Sequence, residues 1–235
     1  MLLLGIDTSS QAAGAAVVKD GSIICEYMLN QKKTHSARML PMVEQMLADA
    51  EYEMSDMDGF VCGVGPGSFT GVRIGAATVK GFAQALAKPV LTVNSLETLA
   101  FGCGSFDGLI VPVIFARVDE VFCAAYSIDN ENMQEQFSPL VMTIAELSLK
   151  LKGKHCLFVG DGALLHRELL CRDLGGNACF AAPRQHIISA ANMTLLAEKR
   201  QEQSGWERYD SISPLYLRVS QAEREYQEKH GGNEK

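Results

Sequence analysis

The sequence predicts an α/β protein of two lobes, each a mixed sheet flanked by helices, with the second lobe reduced. Three observations carry that prediction. Three strand-like runs at the start give way to alternating helical and strand-like segments, the order of a mixed sheet with helices packed on it. The stretch Gly102-Cys103-Gly104-Ser105, poor in bulky side chains, marks a boundary, and beyond it the order of elements partly repeats. The string Gly65-Pro66-Gly67-Ser68-Phe69-Thr70-Gly71-Val72-Arg73-Ile74-Gly75 joins an apolar strand to a helix through a tight glycine-proline-glycine turn.

The elements follow in order. Leu2 to Asp7 reads as a strand. Ala12 to Val18 and Ile23 to Leu29 read as two more, joined by a hairpin turn at Asp20-Gly21. From Ser36 to about Glu53 the spacing of Met39, Leu40, Val43, Met46, Leu47 and Ala50 is helical, with Thr34 or Ser36 as cap. The strand Phe60 to Val64 leads into a helix opened by Ser68 or Thr70 and running to Ala87. Val90 to Val93 is a short strand, and Asn94-Ser95 caps a helix to about Phe101. In the second half, Leu109 to Ala116 and Glu120 to Ile128 pair across Arg117-Val118-Asp119. Asp129 to Gln136 reads as a polar loop, Thr143 to Leu151 as a helix, and Cys156 to Val159 as a strand. Gly160-Asp161-Gly162 turns into a helix over Ala163 to Leu170, and Ile187 to Gln203 is helical. The expected division is residues 1–101, residues 102–219, and a polar, solvated tail over 220–235.

Composition narrows the function. The 235 residues suit one large domain or two small ones. With 47% hydrophobic and 21% charged residues the chain is an ordinary globular protein. Lys and Arg number 21 against 28 Asp and Glu, a net charge of -7, which argues against autonomous nucleic-acid binding. No apolar run is long enough to span a bilayer, and the start lacks the basic region of a signal peptide, so a cytoplasmic protein without membrane contact is expected. The seven cysteines are scattered and form no Cys-x-x-Cys pair, which predicts buried, reduced thiols and neither zinc nor a disulfide framework.

The glycine-rich junction is where chemistry is to be sought. Glycines there let the main chain come close to a neighbour, either a phosphate on the helix N-terminus or another helix. No Gly-Lys-Ser or Gly-Lys-Thr follows, so the loop is not a Walker P-loop. Ser68 stands where a dinucleotide fingerprint needs its last glycine, and Pro66 and Thr70 rule out a nucleophile elbow. The string Ile6-Asp7-Thr8-Ser9-Ser10, ending a strand before a hairpin, resembles the first phosphate-binding hairpin of the actin, hexokinase and Hsp70 ATPase (ASKHA) superfamily. That resemblance marks Asp7, Thr8 and Ser9 as vestigial phosphate-binding residues, whereas the second acidic hairpin of the superfamily reads poorly.

Taken whole, the string from Gly65 to Gly75 resembles the hallmark of the bacterial TsaB proteins, also called YeaZ. Supporting matches are Ile6-Asp7-Thr8-Ser9, His35-Ser36-Ala37-Arg38-Met39-Leu40-Pro41, Asn94-Ser95-Leu96-Glu97, Ala116-Arg117 with Glu120-Val121, and Pro214-Leu215-Tyr216-Leu217-Arg218. Phe115 departs from the pattern, since the family has an Asp before the Ala-Arg pair. The resemblance implies a non-catalytic scaffold in forming threonylcarbamoyladenosine at adenosine 37 of tRNA. Its partners would be the catalytic paralogue TsaD and the ATPase TsaE, with threonylcarbamoyl-AMP supplied by TsaC. It further implies a homodimer when the protein is alone, tRNA contact only through the complex, no cofactor of its own, and ATP or ADP at the complex interface. The alternatives are an ATP-binding enzyme of the same superfamily and a glycoprotease-like peptidase.

The residues agree with an inactive paralogue. The catalytic relatives hold metal through two histidines four residues apart, whereas His35 is followed at that spacing by Met39, and His155, His166, His186 and His230 have no such partner. No nucleophile with a nearby base is assembled by the sequence order. The expected interface joins Gly71, Gly75, Thr78 and Phe82, at three- and four-residue spacing, to the flexible apolar Met39, Met42 and Met46.

Overall fold

The computed structural model describes residues 1–30, 35–129 and 132–218, without the side chains of residues 35, 36, 202 and 203. The expected tail over 220–235 and His230 lie outside the described residues, as does the side chain of His35.

The first sheet is built from β1 (Leu2–Asp7), β2 (Ala12–Lys19), β3 (Ser22–Asn30), β4 (Gly59–Gly63) and β5 (Val90–Val93), in the order β3-β2-β1-β4-β5. β1, β2 and β3 pair antiparallel, and β4 and β5 add in parallel. Asp20 and Gly21 close the β2–β3 hairpin with φ of 47° and 75°, the left-handed pair such a two-residue turn requires. Between the strands run α1 (His35–Asp49), α2 (Phe69–Leu86) and α3 (Ser95–Phe101).

The second sheet repeats that plan. β6 (Leu109–Arg117), β7 (Glu120–Asp129), β8 (Asn132–Thr143), β9 (Cys156–Val159) and β10 (Ala178–Phe180) stand in the order β10-β9-β6-β7-β8. Two strands were not expected. β8 occupies the stretch read as a polar loop, because an edge strand with one wet face carries Asn, Gln and Glu without losing its ladder to β7. β10 is only three residues long, too short for a periodic signal. The second sheet thus has all five strands, and the reduction falls on the helices. α4 (Ile144–Lys150), α5 (Asp161–Leu165) and α6 (Arg167–Leu174) are one or two turns each, against the 15 and 18 residues of α1 and α2.

Side-chain alternation along β1 decides the layers. Leu2, Leu4 and Ile6 pack with Met39, Met42, Val43 and Met46 of α1 and Val79 and Ala83 of α2. Leu3 points the other way, into a cluster with Met193, Leu196 and Ala197 of α7 (Ala190–Ser204). Gly5 is on that face too, where a Cβ would strike the Thr194 hydroxyl. The second sheet is covered outside by α4 and α6 and inside by Leu96, Leu99 and Ala100 of α3.

The two inner helices have therefore changed places relative to a linear division. α3 lies in the expected first lobe yet packs on the second sheet, and α7 lies in the expected second lobe yet packs on the first. The boundary between 101 and 102 separates the sheets but not the helices, because each inner helix packs its apolar face on the other half's sheet. A bidentate ion pair joins them, Arg200 donating from Nη1 at 2.8 Å and Nη2 at 3.0 Å to the Glu97 carboxylate. Asn94 caps α3 by accepting from the Glu97 amide at 2.8 Å, so the string Asn94-Ser95-Leu96-Glu97 is a cap followed by a lobe-joining charge.

The cysteines are less uniformly buried than expected. Burial pushes the thiols of Cys62 and Cys123 up to about 12 and that of Cys156 to about 11. Cys171, in contrast, is exposed on α6, and Cys179 is half-buried on the edge strand β10.

The α3–α7 link generates a measurable coupling. Glu97→Ala and Arg200→Ala should each lower the urea unfolding free energy. The double variant should lose about 1 kcal/mol less than the sum, as expected for a bidentate, half-buried pair. Additive losses would mean that the pair does not couple the two helices.

Candidate functional site

Several of the strings that stood out in the sequence meet around the β1–β2 turn. The β1–β2 turn carries Asp7, Thr8 and Ser9, which are 3%, 0% and 1% exposed. Ser9 donates to the Asp7 carboxylate from its amide at 3.0 Å and from its hydroxyl at 2.9 Å, and its hydroxyl also meets that of Ser95 at 2.8 Å. The Thr8 hydroxyl donates to the Gly71 carbonyl at 2.7 Å. The groups that would face a phosphate are thus engaged by the chain itself. Asp7, Thr8 and Ser9, expected as vestigial phosphate-binding residues, are held within the lobe's own hydrogen bonds.

What closes over them is the glycine-rich junction. The Ser68 amide donates to the Ser9 carbonyl at 2.6 Å, and Ser68 caps α2 by accepting from the Gly71 amide at 3.2 Å. A Cβ on Gly63 would overlap the Asp7 carboxylate, one on Gly67 the Ser9 carbonyl, and one on Gly71 the Thr8 carbonyl. On Gly75 it would come within 2.6 Å of the Thr8 hydroxyl. The glycines therefore serve close approach, but their neighbour is neither a phosphate nor another helix. It is the β1–β2 turn of the same lobe.

Five of the seven expected interface residues are buried within the chain itself. Gly71 and Gly75 are buried against Thr8, and Met39, Met42 and Met46 are buried in the first core. Phe82 leans on Phe60 with ring centroids 5.9 Å apart, and Thr78 is half-buried with its hydroxyl donating to the Ile74 carbonyl at 2.8 Å. An amphipathic helix must bury one face on its sheet, and Gly71 and Gly75 are buried there, whereas Thr78 and Phe82 stay partly exposed. The exposed face of α2 lies about a quarter-turn away, along Thr70, Arg73, Ala77, Gly81 and Ala85.

At the start of that face sits a cluster that helix spacing alone did not single out. The Arg73 guanidinium carbon lies 3.8 Å above the Phe69 ring, and its Nε donates to the Tyr216 hydroxyl at 2.9 Å. Phe69 and Tyr216 are 5.0 Å apart and exposed to 37% and 46%. The i, i+4 pair of Phe69 and Arg73 was a visible signal, whereas the arrival of Tyr216 from 143 residues away was not. The segment that delivers it is anchored on both sides. The Leu215 amide donates to the Val64 carbonyl at 2.8 Å, Leu217 packs in the second lobe's inner cluster, and Arg218 lies 3.7 Å from Glu120. Phe115 is exposed, and its amide donates to Asp161 at 3.0 Å.

For metal, no group of three or more His, Cys, Asp or Glu side chains is close enough to hold an ion among the described residues. Met39, four residues after His35, is in the core. His186 is buried between the backbone of Gly160 and the carbonyl of Ala181, the setting of a structural histidine.

The contrast between the two kinds of glycine on α2 is testable by urea unfolding. Gly71→Ala should cost about 2–3 kcal/mol, since its Cβ meets backbone that cannot move aside. Gly81, with nothing within 4 Å of a Cβ, should gain up to about 1 kcal/mol on replacement by Ala. Equal effects at the two positions would show that the close approach to Thr8 is not what Gly71 is there for.

Comparison with known proteins agrees with this geometry. The family model of TsaD, described as tRNA N6-adenosine threonylcarbamoyltransferase, matches residues 22–226. The tRNA threonylcarbamoyladenosine biosynthesis protein TsaB of Bacillus subtilis is 33% identical over 228 residues, 96% of this chain and 98% of its own length. The solved structure of YeaZ from Pseudomonas aeruginosa superposes with a TM-score of 0.79 at 28% identity, covering 92% of this chain and 99% of that one. At 11% identity, the activator of 2-hydroxyisocaproyl-CoA dehydratase from Clostridium difficile shares the fold alone, with a TM-score of 0.51 over 87% of this chain and 97% of that one. The chain has two mixed sheets of one plan and a β1–β2 turn covered by its own glycine-rich loop, and it belongs to the TsaB (YeaZ) family within the wider TsaD-like group.

Proposed function

We propose that this chain is a non-catalytic subunit in the synthesis of threonylcarbamoyladenosine at adenosine 37 of tRNA, acting by binding and supporting a TsaD-like catalytic paralogue. The observation that carries the reading is the closure of the Asp7–Ser9 turn under Gly67, Gly71 and Gly75. Polar groups engaged by their own chain fit a non-catalytic role, and the same closure holds α2 with its outer face to solvent. A TsaD-like protein of the same family presents a related helix, and two such helices approach closely where side chains are small. Ala77, Gly81 and Ala85 supply that, next to the aromatic and cationic groups of Phe69, Tyr216 and Arg73 that suit the centre of an interface. With a net charge of -7, the chain meets tRNA only through the complex.

The same face serves a two-fold homodimer when the catalytic paralogue is absent. A TsaE-like ATPase completes the complex, with ATP or ADP bound where subunits meet, and the assembly works in the cytoplasm.

The test is titration calorimetry and sedimentation with the TsaD-like paralogue, using the wild type and Gly81→Arg. The variant should unfold at or slightly above the wild-type urea concentration, because the position is open and Arg is a better helix former than Gly. It should bind the paralogue at least about thirtyfold more weakly, the effect of losing roughly 2 kcal/mol at an interface centre. A folded variant that binds with wild-type affinity places the interface elsewhere. A wild type that does not bind the paralogue at all contradicts the scaffold reading.

A further inference from the structure

β10 is the edge strand of the second sheet. Alternation along it turns Ala178 and Phe180 to the outer core and leaves Cys179 on the opposite side. There the Cys179 sulfur lies 3.4 Å from Nε2 of His155, a residue 24 positions away. The other ring nitrogen, Nδ1, is 2.7 Å from the carbonyl oxygen of Asp107. A carbonyl only accepts, so Nδ1 carries the hydrogen, and Nε2 of the neutral ring offers its lone pair to the thiol. The ring is held in place from a second side by Phe106, with centroids 4.8 Å apart, and the His155 carbonyl accepts from the Leu109 amide at 2.9 Å. Gly108, at φ 146°, allows this packing, since a Cβ there would overlap that carbonyl. His155 is exposed and Cys179 half-buried, so the pair reaches solvent.

A thiol, an oriented imidazole and a group fixing the imidazole's tautomer are the parts of an activated nucleophile. We propose that Cys179 is a reactive thiol activated by His155 and a site of mixed-disulfide formation with low-molecular-weight disulfides. His155 Nε2 takes the proton from the Cys179 sulfur, and the thiolate attacks one sulfur of the disulfide. A new sulfur–sulfur bond forms as the old one breaks, and the leaving thiolate recovers the proton from the imidazolium. The small disulfide is the oxidant, and one molecule of free thiol is released per chain modified. Cys62, Cys123 and Cys156 are buried and stay out of this chemistry. Cys171, exposed on α6, provides an unassisted thiol in the same molecule for comparison.

The experiment incubates the native chain with oxidised glutathione at neutral pH and follows each cysteine by peptide mass mapping. Cys179 should acquire glutathione at least about tenfold faster than Cys171, as base assistance implies, and the ratio should fall to near one in denaturant. His155→Gln, folded by circular dichroism, should slow Cys179 to the rate of Cys171. Parity of the two cysteines in the native wild type, or an unchanged Cys179 rate in folded His155→Gln, overturns the proposal. If His155→Gln does not fold, the native-to-denatured ratio in the wild type decides alone.

Discussion

The structure depends on one close approach, that of the first turns of α2 to the β1–β2 turn. Four glycines spaced along the junction, Gly63, Gly67, Gly71 and Gly75, each face an atom of Asp7, Thr8 or Ser9 at a distance no side chain could share. Hydrogen bonds then fill the contact, from Ser68 to Ser9 and from Thr8 to Gly71. A buried carboxylate and two buried hydroxyls would be costly if left without partners. Here each has one from the same lobe or from Ser95. The β1–β2 turn serves as a socket for the lobe's own helix.

From that contact the junction between the lobes follows. Placing α2 fixes the Gly65 carbonyl, which accepts from the Ser95 amide at 2.7 Å and so starts α3 toward the second sheet. α7 returns to the first sheet, and the chain after it bridges to Val90 of the edge strand β5 through Glu207 before delivering Tyr216 to Arg73 and Arg218 to Glu120. Segments far apart in the sequence thereby close one junction between the lobes, and the outer face of α2 is held beside it as a rigid ridge.

The strands and long helices were legible because their signals are local. The alternation of β1, the Asp20-Gly21 turn and the caps at Ser68, Asn94 and Thr143 all act within a few residues. β8 was missed because one wet face hides a strand among polar residues, and the exchange of α3 and α7 because apolar faces do not declare which sheet they match. The glycines of α2 were rightly taken as points of close approach, but spacing gives a face and not its occupant. Gly75 and Gly81 look alike in the sequence, and only the position of Thr8 separates a core contact from an open one. The pairing of Cys179 with His155 had no local signal, since it is made by the parallel register of β9 and β10.

Hydrogen exchange tests the central claim most directly. The Ser9 amide is bonded to Asp7, that of Ser68 to Ser9, and that of Ser95 to Gly65. If the turn and the junction form a permanent socket, these three amides exchange only when the whole protein unfolds, with the same free energy as the core amides of β1 and β4. If they exchange by a local opening orders of magnitude faster than β1 and β4, the hairpin is a site that opens, and the account of a sealed scaffold is wrong.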